Sequence, residues 1–224
     1  MIDFTPFMLS FKLAFVTTVI LFVVSLPLSW YLANTTSKIK PFLETITALP
    51  IVLPPSVLGF YLLWALSGNS VVGQFFEDNF GISLVFNFTG LVIASCFYSL
   101  PFMVQPLQGG FESLNKNMLE ASYLAGKSRL ITLLRVAMPN IKPSLLSAII
   151  VTFAHTVGEF GVVLMIGGSI PNETKVASVA IYEMVEVMDY ENAHIYSAIM
   201  LSMSFVVLLS VYLFNRSYKK RIGV

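Results

Sequence analysis

The sequence predicts an all-α membrane protein with about five transmembrane helices, and its composition and its long uncharged segments carry this prediction. Of the 224 residues, 56% are hydrophobic and only 11% are charged, whereas soluble domains have about 25% charged residues. The apolar residues are gathered into runs of about the 20 residues that an α-helix needs to cross a bilayer. No internal repeat is present, so residues 1–224 are read as a single transmembrane domain.

Five apolar segments are the candidate spans: residues 9–33, 47–66, 86–108, 144–166 and 194–214. Proline removes a backbone hydrogen bond and bends a helix. The second segment holds Pro50, Pro54 and Pro55, so its backbone is expected to be irregular and to be buried in protein or to line a watery path. Pro101 and Pro106 predict a break near the end of the third segment. Short helices are expected outside the hydrocarbon at residues 71–76 and 176–187.

Residues 112–140 form the polar stretch between the third and fourth spans, and their pattern predicts a helix, a turn and a second helix. Met118, Leu119, Tyr123 and Leu124 recur at helical spacing, and Gly126 then ends the first helix with a positive φ. Apolar residues alternate with basic ones in the second helix, which Pro139 is expected to end. Charged helices outside the hydrocarbon suit docking to another protein.

The same stretch resembles the signature loop of the permeases of ATP-binding-cassette (ABC) importers. The matching positions are Glu120, Ala121, Gly126, Val136 and Pro139, and the departures are Ser122 for an alanine and Met138 for a leucine. The resemblance implies that this loop is the coupling helix, which docks into a groove of a cytoplasmic ATPase subunit. A plain connector between two membrane helices is the alternative, because a short motif carries a false-positive risk.

The basic residues predict the orientation. With five spans, one side of the membrane collects 11 of the 13 Lys and Arg: two in the first loop, five between Phe111 and Lys142, and four near the C-terminus. The positive-inside rule then places the N-terminus outside and the C-terminus in the cytoplasm, together with the loop at 112–140. The terminal Arg216, Lys219, Lys220 and Arg221 are read as an anchor to the lipid surface, not as a nucleic-acid site.

His155 and Glu159 are the ionisable residues at membrane depth in the fourth segment, flanked by Gly158 and Gly161. Four residues apart, they are expected to share one helix face. They are interpreted either as part of the translocation path, by the rule that intramembrane ionisable groups are functional candidates, or as a structural pair bonded to each other or to nearby backbone. A zinc motif needs a second histidine here, so no metal site is predicted.

Gly126, Lys127 and Ser128 look like the end of a phosphate-binding loop, but the required earlier glycine is replaced by Ala121 within a predicted helix. We therefore expect no cofactor on this chain, with ATP and Mg²⁺ on a partner ATPase. No nucleophile–base pair is visible, and the chain is predicted not to be an enzyme.

Longer stretches narrow the resemblance to molybdate permeases. They are LPIVLPPSVLGFYLL from Leu49, LPFMVQPLQGGFESL from Leu100 and HTVGEFGVVLMIGGSIPNET from His155. The departure is His155, where the family leads us to expect a small or basic residue. Sulfate, thiosulfate or tungstate permeases remain alternatives, and an ion-coupled secondary transporter is a weaker one.

The resemblance also implies partners and a place in the cell. The partners are a second copy of the chain, two ATPase subunits, an external oxyanion-binding protein and the lipid bilayer. The expected location is the inner membrane of a prokaryotic cell, and transport would follow alternating access.

Overall fold

The computed structural model describes residues 2–222, with side chains up to residue 210 and at 212 and 213. Over these residues the chain is helical and contains no strand, which confirms the all-α class. The helices are α1 (Thr5–Asn34), α2 (Lys40–Val52), α3 (Pro55–Leu66), α4 (Val71–Phe80), α5 (Phe88–Glu112), α6 (Lys116–Leu124), α7 (Arg129–Thr132), a π-helical turn (Leu133–Ala137), α8 (Met138–Asn140), α9 (Lys142–Val157), α10 (Gly161–Gly167), α11 (Ala177–Glu186) and α12 (Tyr190–Ile222).

Three helices of the described chain are long and apolar enough to cross a membrane: α1, α5 and the part of α12 from Tyr190–Ser210. Two bent pairs raise the number to five if each pair is one span. In the first pair α2 and α3 meet at 114°, and in the second Arg129–Asn140 meets α9 at 83°. The number agrees with the predicted five spans, while the side on which each terminus lies stays a prediction.

The core lies where α1, α5 and α9 pack together. Helix α5 is its centre, since 56% of its most apolar stretch is buried, against 11% for α12. Leu21 of α1, Met103 and Leu107 of α5, and Ala148 of α9 form one apolar cluster. Burial at this density provides the dispersion contacts that hold membrane helices together.

The proline-rich segments depart from their predicted form in two ways. The break expected at Pro101 and Pro106 is wrong, because α5 continues through both prolines. Neighbouring helices enclose α5, and such packing lets a transmembrane helix tolerate proline. The predicted span 47–66 is two helices, not one. Pro54 is extended, with φ −54° and ψ 138°, because the residue before a proline is biased away from helix.

The fourth predicted span, residues 144–166, is wrong as a continuous helix. Helix α9 ends at Val157, and Gly158 caps it with its amide on the Ala154 carbonyl, 3.2 Å away. Phe160 has the non-helical dihedrals φ −129° and ψ −61°, after which α10 runs for only seven residues. Glycine weakens a helix interior, so the two glycines at 158 and 161 allow the chain to change direction between them.

The other predicted helices are present with shifted ends. Segment 9–33 lies within α1, most of 86–108 lies within α5, and α4 extends the short helix 71–76 to Phe80. The helix predicted at 176–187 is α11, and segment 194–214 lies within the longer α12. The side chains of Arg216, Lys219, Lys220 and Arg221 lie outside the described residues, so the anchor stays a prediction.

Helix α1 separates two ends of the molecule. Its 30 residues span about 45 Å at the rise of an α-helix. Near its start, the Ser10 hydroxyl accepts a hydrogen bond of 2.9 Å from the Ala177 amide of α11. Near its end, Trp30 and Tyr31 face Tyr123 and Lys127 of the loop at 112–140 across a cleft. The segment around α11 and the motif-bearing loop therefore lie at opposite ends of α1. We call the first the acidic segment, because it carries Glu173, Glu183, Glu186, Asp189 and Glu191.

Candidate functional site

The first half of the motif-bearing loop is a capped helix followed by a glycine turn. The Asn115 side chain accepts the amide of Asn117 at 3.0 Å at the start of α6. At the other end the Gly126 amide bonds the Tyr123 carbonyl at 2.9 Å, and the Lys127 amide bonds the Ser122 carbonyl at 3.2 Å. This pair of bonds is the Schellman motif, which needs a left-handed residue. Gly126 supplies it with φ +73°, as predicted.

The second half of the loop is one helical segment from Arg129 to Asn140 with a π-helical turn inside it. Ser128 begins it, and its hydroxyl accepts the Ile131 amide at 3.3 Å. Pro139 does not end this segment as predicted, because the helix ends one residue later, at Asn140. The π turn directly precedes the proline. A wider turn relieves the clash between a proline ring and the carbonyl four residues earlier.

The two halves are fixed to each other and to the core. The Ser122 and Thr132 hydroxyls are 2.9 Å apart and both residues are buried. Leu119, Leu133 and Ala137 join the apolar cluster formed by the ends of α1 and α5. A movement of the loop is therefore transmitted to the membrane helices, because packed elements shift as units.

The outward face of the loop carries the matched residues and the apolar Leu124. Glu120, Ala121 and Pro139 are exposed and Val136 is half-buried. Leu124 recurs at helical spacing with the other apolar residues of α6, which predicts that it packs inward, but 89% of it is exposed. Helical spacing alone was misleading here, because the last turn of α6 extends beyond the core. A large apolar residue this exposed is a candidate contact for a partner.

Among the described residues, Glu159 is the one buried acidic or basic side chain. It is 3% exposed, and neither carboxylate oxygen has a hydrogen-bond partner. The Ser95 hydroxyl of α5 interacts with the carboxyl, but it does not meet the geometry of a hydrogen bond and is itself buried without a partner. The Ser178 hydroxyl donates to the Glu159 backbone carbonyl at 2.6 Å. A buried carboxyl without hydrogen bonds destabilises a fold, so stability gives no reason for its presence.

His155 does not pair with Glu159, so the structural pair proposed from their spacing is wrong. The helix they were expected to share ends between them, at Val157. His155 instead points to α5, where its Nδ1 lies 3.0 Å from the Ser99 hydroxyl. Its ring stacks on Phe102 with centroids 3.9 Å apart. These contacts give His155 a packing role that does not involve Glu159.

The break between α2 and α3 and the break between α9 and α10 lie far apart in the sequence but close together in the structure. A Cβ added to Gly161, at the start of α10, would lie 2.8 Å from the Cβ of Pro55, at the start of α3. A Cβ on Gly59 would lie 3.0 Å from Met165. Small residues let two membrane helices approach closely. The two breaks are therefore in contact. Pro50 is not part of this contact region, since it is buried inside α2.

The opposite end of the molecule has an ordered polar loop between α10 and α11. The buried Thr174 hydroxyl donates to the Gly167 carbonyl at 2.7 Å and accepts the Ile170 amide at 3.0 Å. Lys175 forms an ion pair with Glu183. Burial is the largest single influence and raises the pKa of the Glu183 carboxyl, but the hydrogen bonds from Lys175 and Ser169 and the charge of Lys175 together outweigh it, so the pKa lies below its usual value. Glu183 is therefore held in its charged form next to Lys175 at this end of the molecule.

The phosphate-loop look-alike has the wrong structural context. Helix α6, not a buried strand, precedes Gly126, Lys127 and Ser128. Phosphate-binding loops follow a strand and open a helix whose amides surround the phosphates. Within the described residues no three His, Cys, Asp or Glu side chains are grouped to hold a metal ion.

Straight and bent apolar helices surround a buried core, with an ordered amphipathic loop at one end, and chains of ABC transporters share this arrangement. Solved structures agree on the fold. The methionine ABC transporter MetNI superposes with a TM-score of 0.72 at 16% identity, covering 95% of this chain and 94% of that one. A bacterial ABC transporter involved in alginate import superposes with a TM-score of 0.75 at 18% identity, covering 98% of this chain and 79% of that one.

The chain belongs to the binding-protein-dependent transport system inner membrane component family, whose model matches residues 25–224. It is 45% identical over 210 residues to the molybdenum transport system permease protein ModB of Azotobacter vinelandii, covering 94% of this chain and 93% of that protein. It is 30% identical over 209 residues to the sulfate transport system permease protein CysT of Salmonella typhimurium, covering 93% of this chain and 75% of that protein.

Proposed function

We propose that this chain is the membrane subunit of an ATP-driven importer for molybdate, located in the inner membrane of a prokaryotic cell. The observation that carries the substrate is the 45% identity to a molybdenum permease over 94% of the chain, against 30% to a sulfate permease. The identity extends over nearly the whole chain and is not limited to the signature loop that permeases of different substrates share.

The mechanism requires partners, because the described residues hold no phosphate-binding loop in the strand-to-helix context that nucleotide binding needs. Two copies form the pore, and two cytoplasmic ATPase subunits bind ATP and Mg²⁺ and dock on the loop at 112–140. Closure of the ATPases moves the two loops. Since Leu119 and Leu133 pack against the ends of α1 and α5, the displacement reaches the spans and switches the pore between its two open states. The chain itself catalyses no reaction.

The acidic end around α11 is proposed to receive the external binding protein. It lies at the end of α1 opposite the signature loop, so a loaded binding protein and the ATPases contact the permease from the two sides of the membrane. Most discrimination between oxyanions then resides in the binding protein, because molybdate, tungstate and sulfate are tetrahedral dianions of equal charge.

Uptake of radioactive molybdate tests this function. Cells lacking their own molybdate and sulfate permeases would express this chain with its ATPase and binding protein. We expect uptake that tungstate inhibits and excess sulfate does not, and that disappears when the ATPase cannot hydrolyse ATP. Equal inhibition by sulfate would assign the chain to sulfate, and uptake that survives without ATP hydrolysis would favour an ion-coupled transporter.

A further inference from the structure

A cleft of about 860 Å³ lies between the end of α1 and the turn that joins α6 to α7. We call it the interfacial cleft. The residues that line it include Trp30, Tyr31, Asn34, Tyr123, Lys127 and Arg129. Its volume is in the range of small-molecule binding sites. Its lining includes Tyr123, Lys127 and Arg129 of the loop at 112–140 but none of the matched residues Glu120, Ala121, Val136 and Pro139.

The cleft is positively charged. Lys127 and Arg129 are exposed at its edge. Neither forms an ion pair in the part of the chain that the structure describes, and the residues lining the cleft include no aspartate or glutamate. Two unneutralised cations facing one cavity favour an anionic occupant, and arginine suits a phosphate group because its guanidinium can donate two parallel hydrogen bonds.

The side chains at the cleft are of the kinds that concentrate at the level of the lipid headgroups. Helix α1 is an apolar span that ends at Asn34, and the cleft opens against its last turns. Tyr31 and Tyr123 are 48% and 41% exposed there. Trp30 is held by an edge-on contact with Phe111, at 5.0 Å between ring centroids. Tryptophan and tyrosine concentrate at the boundary between hydrocarbon and water.

The wall of the cleft combines polar and apolar groups in a way that matches one lipid molecule. Leu130, which is 64% exposed, and Leu133 line it next to the two cations. A phosphodiester can contact Lys127 and Arg129, while the glycerol and the first acyl carbons contact the leucines and aromatic rings. A free oxyanion would use only the charged part of this surface.

We propose that the interfacial cleft binds the headgroup of an anionic phospholipid from the adjacent leaflet. Basic pockets between membrane helices on the cytoplasmic side bind such headgroups through the same chemistry. The site joins α1 to the signature loop, so a bound lipid bridges the membrane helix and the loop that moves with the ATPase.

Native mass spectrometry of the full-length permease with its ATPase tests the proposal, with phosphatidylglycerol and phosphatidylcholine as probes. We expect tight binding of phosphatidylglycerol only. The double substitution Lys127→Gln and Arg129→Gln should weaken it about 25-fold, which is the contribution of two basic residues near an anionic surface. The matched control is Lys116→Gln with Arg135→Gln, which removes the same charge from the same loop outside the cleft and should leave the affinity unchanged.

Three results would overturn the proposal. The first is an equal loss of affinity for phosphatidylglycerol in the control pair. The second is displacement of the lipid by millimolar phosphate or molybdate. The third is lipid binding that is lost when the ATPase is attached. The first would indicate general attraction, the second a site for a free oxyanion, and the third a cleft that belongs to the ATPase interface.

A second measurement leaves the cleft intact, in case the double variant does not fold. Trp30 and Trp64 are the two tryptophans, so Trp64→Phe makes Trp30 the sole emitter. Brominated phosphatidylglycerol should quench Trp30 at a much lower mole fraction than brominated phosphatidylcholine. Equal quenching by the two lipids would contradict the proposal.

Discussion

Gly126 shows how one backbone angle shapes the docking loop. Its φ of +73° completes the Schellman motif, and nothing lies within 4 Å of where a Cβ would be. Substitution therefore causes no clash, and its cost comes from the left-handed backbone alone, about 1–2 kcal/mol for a residue with a Cβ. Asparagine tolerates this region better than a β-branched residue does.

We expect Gly126→Val to insert at the wild-type level but to lose ATPase association, while Gly126→Asn retains most of it. Glu120→Ala should have a milder effect than Gly126→Val, because it removes one exposed charge and leaves the turn intact. Co-purification of the ATPase with tagged permease measures association. Wild-type association in Gly126→Val would mean that the loop is an ordinary connector.

Glu159 poses a different question, since its carboxyl is buried without a hydrogen bond. A structural pair formed by Glu159 would predict that Glu159→Leu reduces the amount of folded protein, since the substitution would remove the bonds of the pair. The structure reverses that expectation, because removing an unpartnered polar group loses no bond and avoids a desolvation cost.

We now expect both Glu159→Leu and Glu159→Gln to fold at least as well as the wild type. If Glu159 acts in transport, uptake is lost in Glu159→Leu at a normal level of assembled protein. Thermal unfolding and uptake should be measured on the same preparations. A lower unfolding temperature for Glu159→Leu would show that the carboxyl has a stabilising partner and a structural role.

At the scale of elements, the main feature is the contact between the α2–α3 break and the α9–α10 break, which are far apart in the chain. Helix α3 starts at Pro55 and α10 starts at Gly161, and the two residues touch. Each helix follows a non-helical residue, Pro54 or Phe160, at which its direction changes. The pair packs as a unit beside the core of α1, α5 and α9.

Gly161→Ala should separate α3 from α10, because the new Cβ would lie 2.8 Å from the Pro55 Cβ. Overpacking of this kind costs about 1–3 kcal/mol, which should lower the unfolding temperature of the purified permease. Gly158→Ala is the matched control, since its Cβ would meet only atoms at 3.7 Å. Equal unfolding temperatures for the two variants would contradict the close approach of α3 and α10.

At the scale of the whole molecule, the two ends of α1 differ in charge, and this difference predicts which end faces the cytoplasm. The loop at 112–140 and the acidic segment before α11 lie at opposite ends of α1. The positive-inside rule assigns the first to the cytoplasm and the second to the outside. Asn172 has φ +64°, so a cysteine there would be strained, and the exposed Glu173 is the better labelling position.

In a chain with Cys96→Ala, we expect Glu173→Cys to react with an impermeant thiol reagent added to intact cells. Asn117→Cys should react only after the membrane is permeabilised, because the positive-inside rule places its loop in the cytoplasm. Labelling of the permeabilised cells controls for reactivity at both positions. Labelling of Asn117→Cys in intact cells would reverse the orientation.

The sequence by itself determined the all-α membrane class, the helix, turn and second helix of the loop at 112–140 and the positive φ of Gly126. These are local or compositional properties: hydropathy sets the class, and a glycine after an amphipathic helix sets its cap. The sequence also carried the resemblance that led to the family.

Tertiary structure alone decided which breaks in the spans are real. Pro101 and Pro106 leave α5 continuous because its neighbours enclose it, while Gly158 and Phe160 end α9 in a segment that hydropathy presented as one span. The partner of His155 and the exposure of Leu124 were also beyond the sequence. Both depend on residues far apart in the chain: His155 contacts Ser99 across two helices, and Leu124 is exposed because no other element covers it.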